Sequence, residues 1–395
     1  MSRSPRALHF VPPSGPGRVP AGLILAGFLL VSCGGGAPLP RVALSPTRSS
    51  PPTVPTCSNQ SVLADWTVDR LAEQVVAIPV SETDVGAAQA QVAEGVGGLL
   101  LLGSSAPADL GAELHSLEAS APGGVQPVVM TDEEGGGVQR MADLVGSLPW
   151  ARQMGSTMTR GEIKSVAMAT GKAMFGQGVT MDLAPVLDAD GGAGPSPTDA
   201  DGLRSFSPDP AVAGGDGLAF AQGLLAAGVI PVVKHFPGLG GASANTDDGP
   251  ASTLPYTSLQ DGGLLPFEAA VSARMPAIMV SNASVPGLSA APASLSPAVI
   301  QGLLVGSLHF QGLILTDSLS SLAIADLGLA VAQATVMAIA AGADMVMFAQ
   351  GDPAAVTPSI DAALSAAVAD GEVSDGRLID AVAHVLAVKR VDLCT

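Results

Sequence analysis

The chain has 395 residues, 47% of them hydrophobic and 13% charged, with 35 acidic against 17 basic side chains and a formal charge of −18. That apolar content excludes a disordered or fibrous chain. With Lys164, Lys172, Lys234 and Lys389 as its only lysines, the chain offers no basic patch to read phosphates, so nucleic acid is excluded as a partner.

At the N-terminus, Arg3, Arg6 and Arg18 precede an apolar run over 21–31. The run is shorter than the roughly 18 residues a membrane span needs, and it suits the apolar region of a secretory signal. The string Leu30-Val31-Ser32-Cys33-Gly34 resembles a bacterial lipobox. That resemblance implies a signal peptide over 1–32, lipidation of Cys33 and an extracytoplasmic protein held to the membrane by lipid alone; the alternative is an ordinary Cys33 beside a conventional cleavage site. Residues 33–58 are rich in Pro, Ser, Thr and Gly with no apolar period, the composition of a semi-extended spacer. Cys57 and Cys394 then remain, in a compartment that permits disulfides, and a bond between them is expected; two free thiols are the alternative.

From Trp66 onward, β-rich apolar runs alternate with Ala-rich stretches of helical spacing, the pattern of βα units. The runs cover 74–80, 97–103, 126–132, 179–186, 229–236, 277–283, 312–319 and 345–349. Their near-continuous apolarity fits parallel strands buried on both faces. Eight units predict an α/β fold of the (β/α)₈ barrel type as a single domain over 59–395. An open doubly wound sheet is the other architecture, but Gly135-Gly136-Gly137 does not form a dinucleotide-binding turn. Asp132, Asp188, Lys234, His235, Asn282 and Asp317 cluster at the ends of the runs, where a barrel carries its active site.

The segments TDEEGGGVQR (131–140), MDLAPVLDAD (181–190), RSFSPDP (204–210), VVKHFPG (232–238), ASLSP (293–297) and LTDSLS (315–320) stand in an order that resembles the N-terminal barrel of glycoside hydrolase family 3. The nearest likeness is to its single-domain bacterial β-N-acetylglucosaminidases, over nearly all of the folded body. The resemblance implies a retaining glycosidase that removes terminal β-linked N-acetylglucosamine, often from cell-wall fragments, through a covalent sugar–Asp intermediate. It makes Asp317 the nucleophile, with an ionised carboxylate whose pKa is held low. Asp132, Arg204, Lys234 and His235 match the groups that hold the sugar, and Arg140 either joins them or braces a neighbouring carboxylate. Glu133 and Glu134 are read as caps or braces of the same loop.

The chain departs from that family after KHFPG. Aligned without gaps, Asn245 stands where the Asp of the usual Asp-His acid/base dyad would be, and Asp247 where the His would be. A V-S-H histidine is likewise replaced by Asn282. An Asn cannot transfer a proton at neutral pH, so Asp247 and Asp248 become the candidate acid/base groups, on a Gly/Ala/Ser-rich loop that suits a lid or an unused surface loop equally. Two alternatives stay open: a catalytically inactive glycan-binding lipoprotein, and a β-glucosidase or β-xylosidase. With Trp66 and Trp150 the only tryptophans, a short substrate or single terminal sugar is expected. Five scattered histidines suggest no metal, hydrolysis calls for no cofactor, and no signal points to a protein partner or beyond a monomer.

Overall fold

Strands buried on both faces need apolar side chains pointing both ways, and each of the eight runs supplies one strand in the computed structural model, which describes residues 57–394. They are β1 (Val76–Ser81), β2 (Gly98–Leu102), β3 (Val128–Thr131), β4 (Met181–Asp182), β5 (Ile230–Phe236), β6 (Ala277–Val280), β7 (Leu313–Thr316) and β8 (Val346–Met347). All pair in parallel, in the order β7-β6-β5-β4-β3-β2-β1-β8. A parallel bridge from Leu315 to Met345 brings the two outer strands together, so the sheet curls into a (β/α)₈ barrel. No described helix is long and apolar enough to cross a membrane.

The crossover helices start and stop where local chemistry directs. Thr159 and Glu162 form a reciprocal capping box before Arg160–Gly176. Asp209 accepts the amides of Ala211 and Val212 ahead of Pro210–Ala227, and Gly228 ends that helix in the left-handed region at φ 92°. Asp352 caps Pro353–Ala369 in the same way, with Pro at the first helical position.

Two apolar layers follow from the alternation of side chains along a strand. One faces the helices. The other fills the barrel with Ala77, Leu100, Val128, Met130, Met181, Val232, Met279, Leu313, Leu315, Met345 and Met347. The methionines suit a tapering interior, since an unbranched side chain fills irregular space. Cys57 is bonded to Cys394, closing a separation of 337 residues, and Asn59 ties the two ends further by donating to the Val391 carbonyl at 2.7 Å and accepting from the Leu393 amide at 2.8 Å. Cys33, the signal segment 1–32 and most of the spacer 33–58 lie outside the described residues.

One buried acid carries a stability prediction. Glu73, on the helix Val68–Gln74 packed against Pro353–Ala369, is pushed up to about 9, first by burial, then by its hydrogen bond and charge contact with Asp361 and by Glu94 and Asp69. An acid whose folded pKa is raised adds stability below its unfolded pKa and loses it as pH rises through the folded value. Glu73→Gln is therefore expected to gain about 1–2 kcal/mol at pH 8, discounted because water reaches part of the cluster, and nothing at pH 4.5. Thermal melts of both proteins at the two pH values check this; equal differences at both would remove the proton linkage.

Candidate active site

The same alternation that packs the barrel also builds the site. Met130 points inward on β3, and two residues on so does Asp132; Val232 on β5 leads to Lys234, and Leu315 on β7 leads to Asp317. Each inward row thus changes from apolar to charged at the C-terminal mouth. The charged layer, with Leu102, Met279, Met347 and Ala349 beneath it, lines a cavity of about 250 Å³. That volume suits one sugar ring. Trp66 stacks under Arg70, 3.4 Å from ring centroid to guanidinium carbon, and the Trp150 ring packs on Gly136 and Gly137, where a Cβ would collide with it. Neither tryptophan lines the cavity.

One wall is a buried ion network. Glu134 accepts both Nε and Nη2 of Arg204 at 2.8 Å, and its Oε1 lies 2.6 Å from Lys234 Nζ. Lys234 Nζ also donates to Asp132 Oδ1 at 2.9 Å. Burial alone would lower the Lys234 pKa, but Asp132 and Glu134 reverse that and raise it, so the ammonium stays charged at 2% exposure. Burial likewise pulls Glu134 up, and Arg204 and Lys234 overcome it and hold the carboxylate well below its usual range. Arg140 lies 3.8 Å from Asp132 Oδ2 and also lines the cavity. Glu133 turns away, accepting from Gln139 Nε2 at 2.8 Å and from the Met141 amide.

His235 stands next to this network. Its Nδ1 donates to Asp188 Oδ2 at 2.7 Å, and its Nε2 is 3.4 Å from Arg204 Nη2. Burial and then the Arg204 charge lower its pKa to about 4, so it is a neutral imidazole with the proton on Nδ1. Asp188 also accepts the amides of His235 at 2.9 Å and Leu239 at 2.7 Å. Asp201, unmarked in the sequence reading, completes the group. Burial, and then repulsion from Asp188, raise its pKa well above the usual carboxylate range. Asp188, Asp201 and His235 offer ligand atoms within 4.8 Å of one another, a grouping the scattered histidines did not suggest. Asp188 already accepts three N–H donors, and Arg204 lies 3.8 Å from Asp201, so the arrangement favours protons over a cation.

Asp317 departs from the sequence expectation in one respect. Its pKa is raised, not lowered: burial dominates and the Asp247 charge adds to it, while His235, the Ser318 amide and Lys234 pull the other way. Ser318 N donates to Asp317 Oδ1 at 2.7 Å. A half-buried carboxylate that has shed part of its hydration is a stronger nucleophile once ionised and a poorer one at acid pH.

The loop over 238–249 brings Asp247 to the cavity, with Asn245 and Thr246 beside it, whereas Asp248 is exposed and does not line it. Asp247 is itself on the open side of the mouth. Its pKa is raised, chiefly by the desolvation of the pocket wall, with Arg204 opposing and Asp132 and Asp248 adding. In place of a free flap, the structure shows a fastened loop. Leu239 N is held by Asp188, Gly241 N donates to Asp190 Oδ2 at 2.9 Å, and Asn245 N donates to the Pro197 carbonyl at 3.0 Å. Ala323 N, just past the Asp317 segment, donates to the Thr246 carbonyl at 3.1 Å. Asn245 accepts the Asp247 amide at 3.1 Å, so the residue at the family's Asp position shapes the turn that presents Asp247.

The chain is similar to known proteins in both sequence and fold. Residues 67–388 match the model for the glycosyl hydrolase family 3 N terminal domain. Over 293 residues the chain is 36% identical to beta-hexosaminidase LpqI of Mycobacterium tuberculosis, covering 71% of this chain and 72% of that protein. A glycosyl hydrolase of the GH3 family from Mycobacterium smegmatis superposes with a TM-score of 0.74 at 36% identity, over 82% of this chain and 98% of that one. Beta-N-acetylhexosaminidase from Beutenbergia cavernae gives 0.74 at 28% identity, over 83% and 100%.

Proposed function

Because the chain belongs to glycosyl hydrolase family 3 and is therefore a glycosidase hydrolysing O-glycosyl bonds, we propose that it is a retaining β-N-acetylhexosaminidase that removes terminal N-acetylglucosamine from short glycans. The observation that carries this reading is the pair of carboxyl groups at one sugar-sized cavity, Asp317 at the floor and Asp247 at the mouth, with the charge of Asp247 acting on Asp317. In the first step Asp317 attacks the anomeric carbon and the bond to the leaving oxygen breaks, with Asp247 giving that oxygen its proton. In the second, Asp247 takes a proton from water, whose oxygen displaces Asp317 from the same carbon. The raised pKa of Asp247 suits a group that must begin protonated. Asp132, Lys234, Arg204 and neutral His235 supply fixed acceptors and donors for the sugar hydroxyls, and Arg140 borders them.

The natural substrate in this reading is a cell-wall fragment met outside the cytoplasmic membrane, with Cys33 lipidated after removal of residues 1–32. The lipobox-like string and the spacer support it. Metabolic labelling with a tagged fatty acid tests the anchor: label is expected on the wild-type chain and absent from Cys33→Ser, and equal labelling of the two would overturn it.

Release of nitrophenol from the aryl β-N-acetylglucosaminide tests the activity, with the glucoside and xyloside alongside. Preference for the N-acetylated sugar supports the reading; preference for either of the others would replace it. Asp247→Asn is expected to lower kcat on substrates with poor leaving groups by on the order of 10³-fold and to spare activated aryl glycosides in the first step. Added azide should then restore turnover by attacking the glycosyl-enzyme without needing a base. An Asp247→Asn enzyme with unchanged rates on all leaving groups would assign the proton to another group.

A further inference from the structure

We propose that Asn282 is a positioning residue for the nucleophile, fixing the segment 317–321 so that Asp317 is presented in one orientation to the anomeric carbon. The inference rests on the reading of Asp317 given above. Asn282 follows β6, is 1% exposed, and uses its whole carboxamide. Nδ2 donates to the Ser318 carbonyl at 2.7 Å and to Ser321 Oγ at 3.1 Å, and Oδ1 accepts from Ser294 Oγ at 2.6 Å. A carbonyl can only accept, so the amide has one workable orientation.

The residue it grips is the one that aims Asp317. Ser318 N donates to Asp317 Oδ1 at 2.7 Å, and the Asp317 amide is held by the Val280 carbonyl, at the end of β6, at 2.9 Å. β6 therefore holds the nucleophile segment twice, through the main chain at Val280 and through the Asn282 side chain, with the Asp317 oxygen not bound to Ser318 left for the sugar. Ser294 anchors the far side of the amide; it is fully buried and its own amide donates to Ser281 at 2.9 Å. Asn282 is not among the residues lining the cavity, so it acts through Ser318 and not on the substrate. A histidine in its place would set Nδ1 at the same number of bonds from the backbone as an amide nitrogen and could donate to the same carbonyl.

The test compares Asn282→Ala, Asn282→His and Ser294→Ala with wild type on the aryl β-N-acetylglucosaminide. Asn282→Ala should lower kcat by about 10- to 100-fold with KM within about threefold, the signature of an interaction that matters in the transition state. Its kcat/KM profile should also lose activity at a higher pH on the acid side. The Ser318 N–H, His235 and Lys234 favour the Asp317 anion against burial and Asp247, and a loosened Ser318 weakens the first of these. Asn282→His should recover to within about fivefold of wild type, since it restores one donor. If Asn282→Ala does not fold, Ser294→Ala, which frees only the distal side of the amide, should show a smaller fall in kcat with the same shift of the acid limb. A folded Asn282→Ala enzyme with unchanged kcat, or one whose loss lies wholly in melting temperature with the acid limb unmoved, would overturn the assignment. Wild type that hydrolyses no β-glycoside overturns the functional reading itself, and this inference with it.

Discussion

Asp317→Asn should lose activity on the order of 10⁴-fold, as expected when the nucleophile of a covalent mechanism is removed, and its melting temperature should stay level or rise. The second half of this result is the more telling. Burial is the largest influence on the Asp317 pKa and works against its charge, so the native fold holds an anion where a neutral amide would be easier to bury. Differential scanning fluorimetry beside steady-state kinetics reads both. Retained activity would remove Asp317 from the chemistry. A large fall in melting temperature would make it a structural carboxylate.

Lys234→Met should be damaging on both counts. Lys234 joins Asp132 to Glu134 at 2.9 and 2.6 Å inside the barrel mouth. Its loss leaves Arg204 as the one remaining cation bonded to Glu134 and leaves Asp132 facing Arg140 at 3.8 Å. Removing one partner from a buried ion network costs roughly 3 kcal/mol, because the remaining charges stay desolvated. The sugar also loses a donor fixed in place, and kcat/KM should fall by about 10³-fold. A variant that melts like wild type and binds substrate as well would show that the network is ornamental to both stability and recognition.

The barrel was legible because parallel strands covered on both faces leave apolar runs, and all eight runs carry a strand. The runs overshoot the strands where pairing stops sooner than apolarity does. Residues 179–186 yield only Met181–Asp182, since Pro185 has no amide to donate and the chain keeps just the bridge from Val186 to Lys234. Asp132, Lys234 and Asp317 could be found because each ends an inward row. Asp201 could not, because its partner Asp188 is brought to it only by the fold of the loop between them. Asn282 stood out in the sequence as a replaced histidine, but its grip on Ser318 is a contact across 36 residues that no spacing shows. The direction of the Asp317 pKa shift was likewise invisible, because it depends on how much water the folded mouth excludes.

The loop over 238–249 gives the same lesson in its composition. Small residues there suggested either a lid or slack chain. Gly240 packs where a Cβ would meet the Ala189 carbonyl, and Gly241 takes φ 72°, so the glycines serve close approach and a left-handed turn at those positions. Asp190, in the loop that follows β4, is the acceptor that holds Gly241.

The central claim is a covalent bond between Asp317 and the sugar, and trapping reads it most directly. The protein, incubated with a fluorinated N-acetylglucosaminyl inactivator and digested, should yield the peptide containing Asp317 heavier by one fluorinated sugar, with the label absent from Asp317→Asn. Turnover of the aryl β-N-acetylglucosaminide that proceeds with the inactivator attached elsewhere, or with release of the α-anomer as first product, would contradict the account.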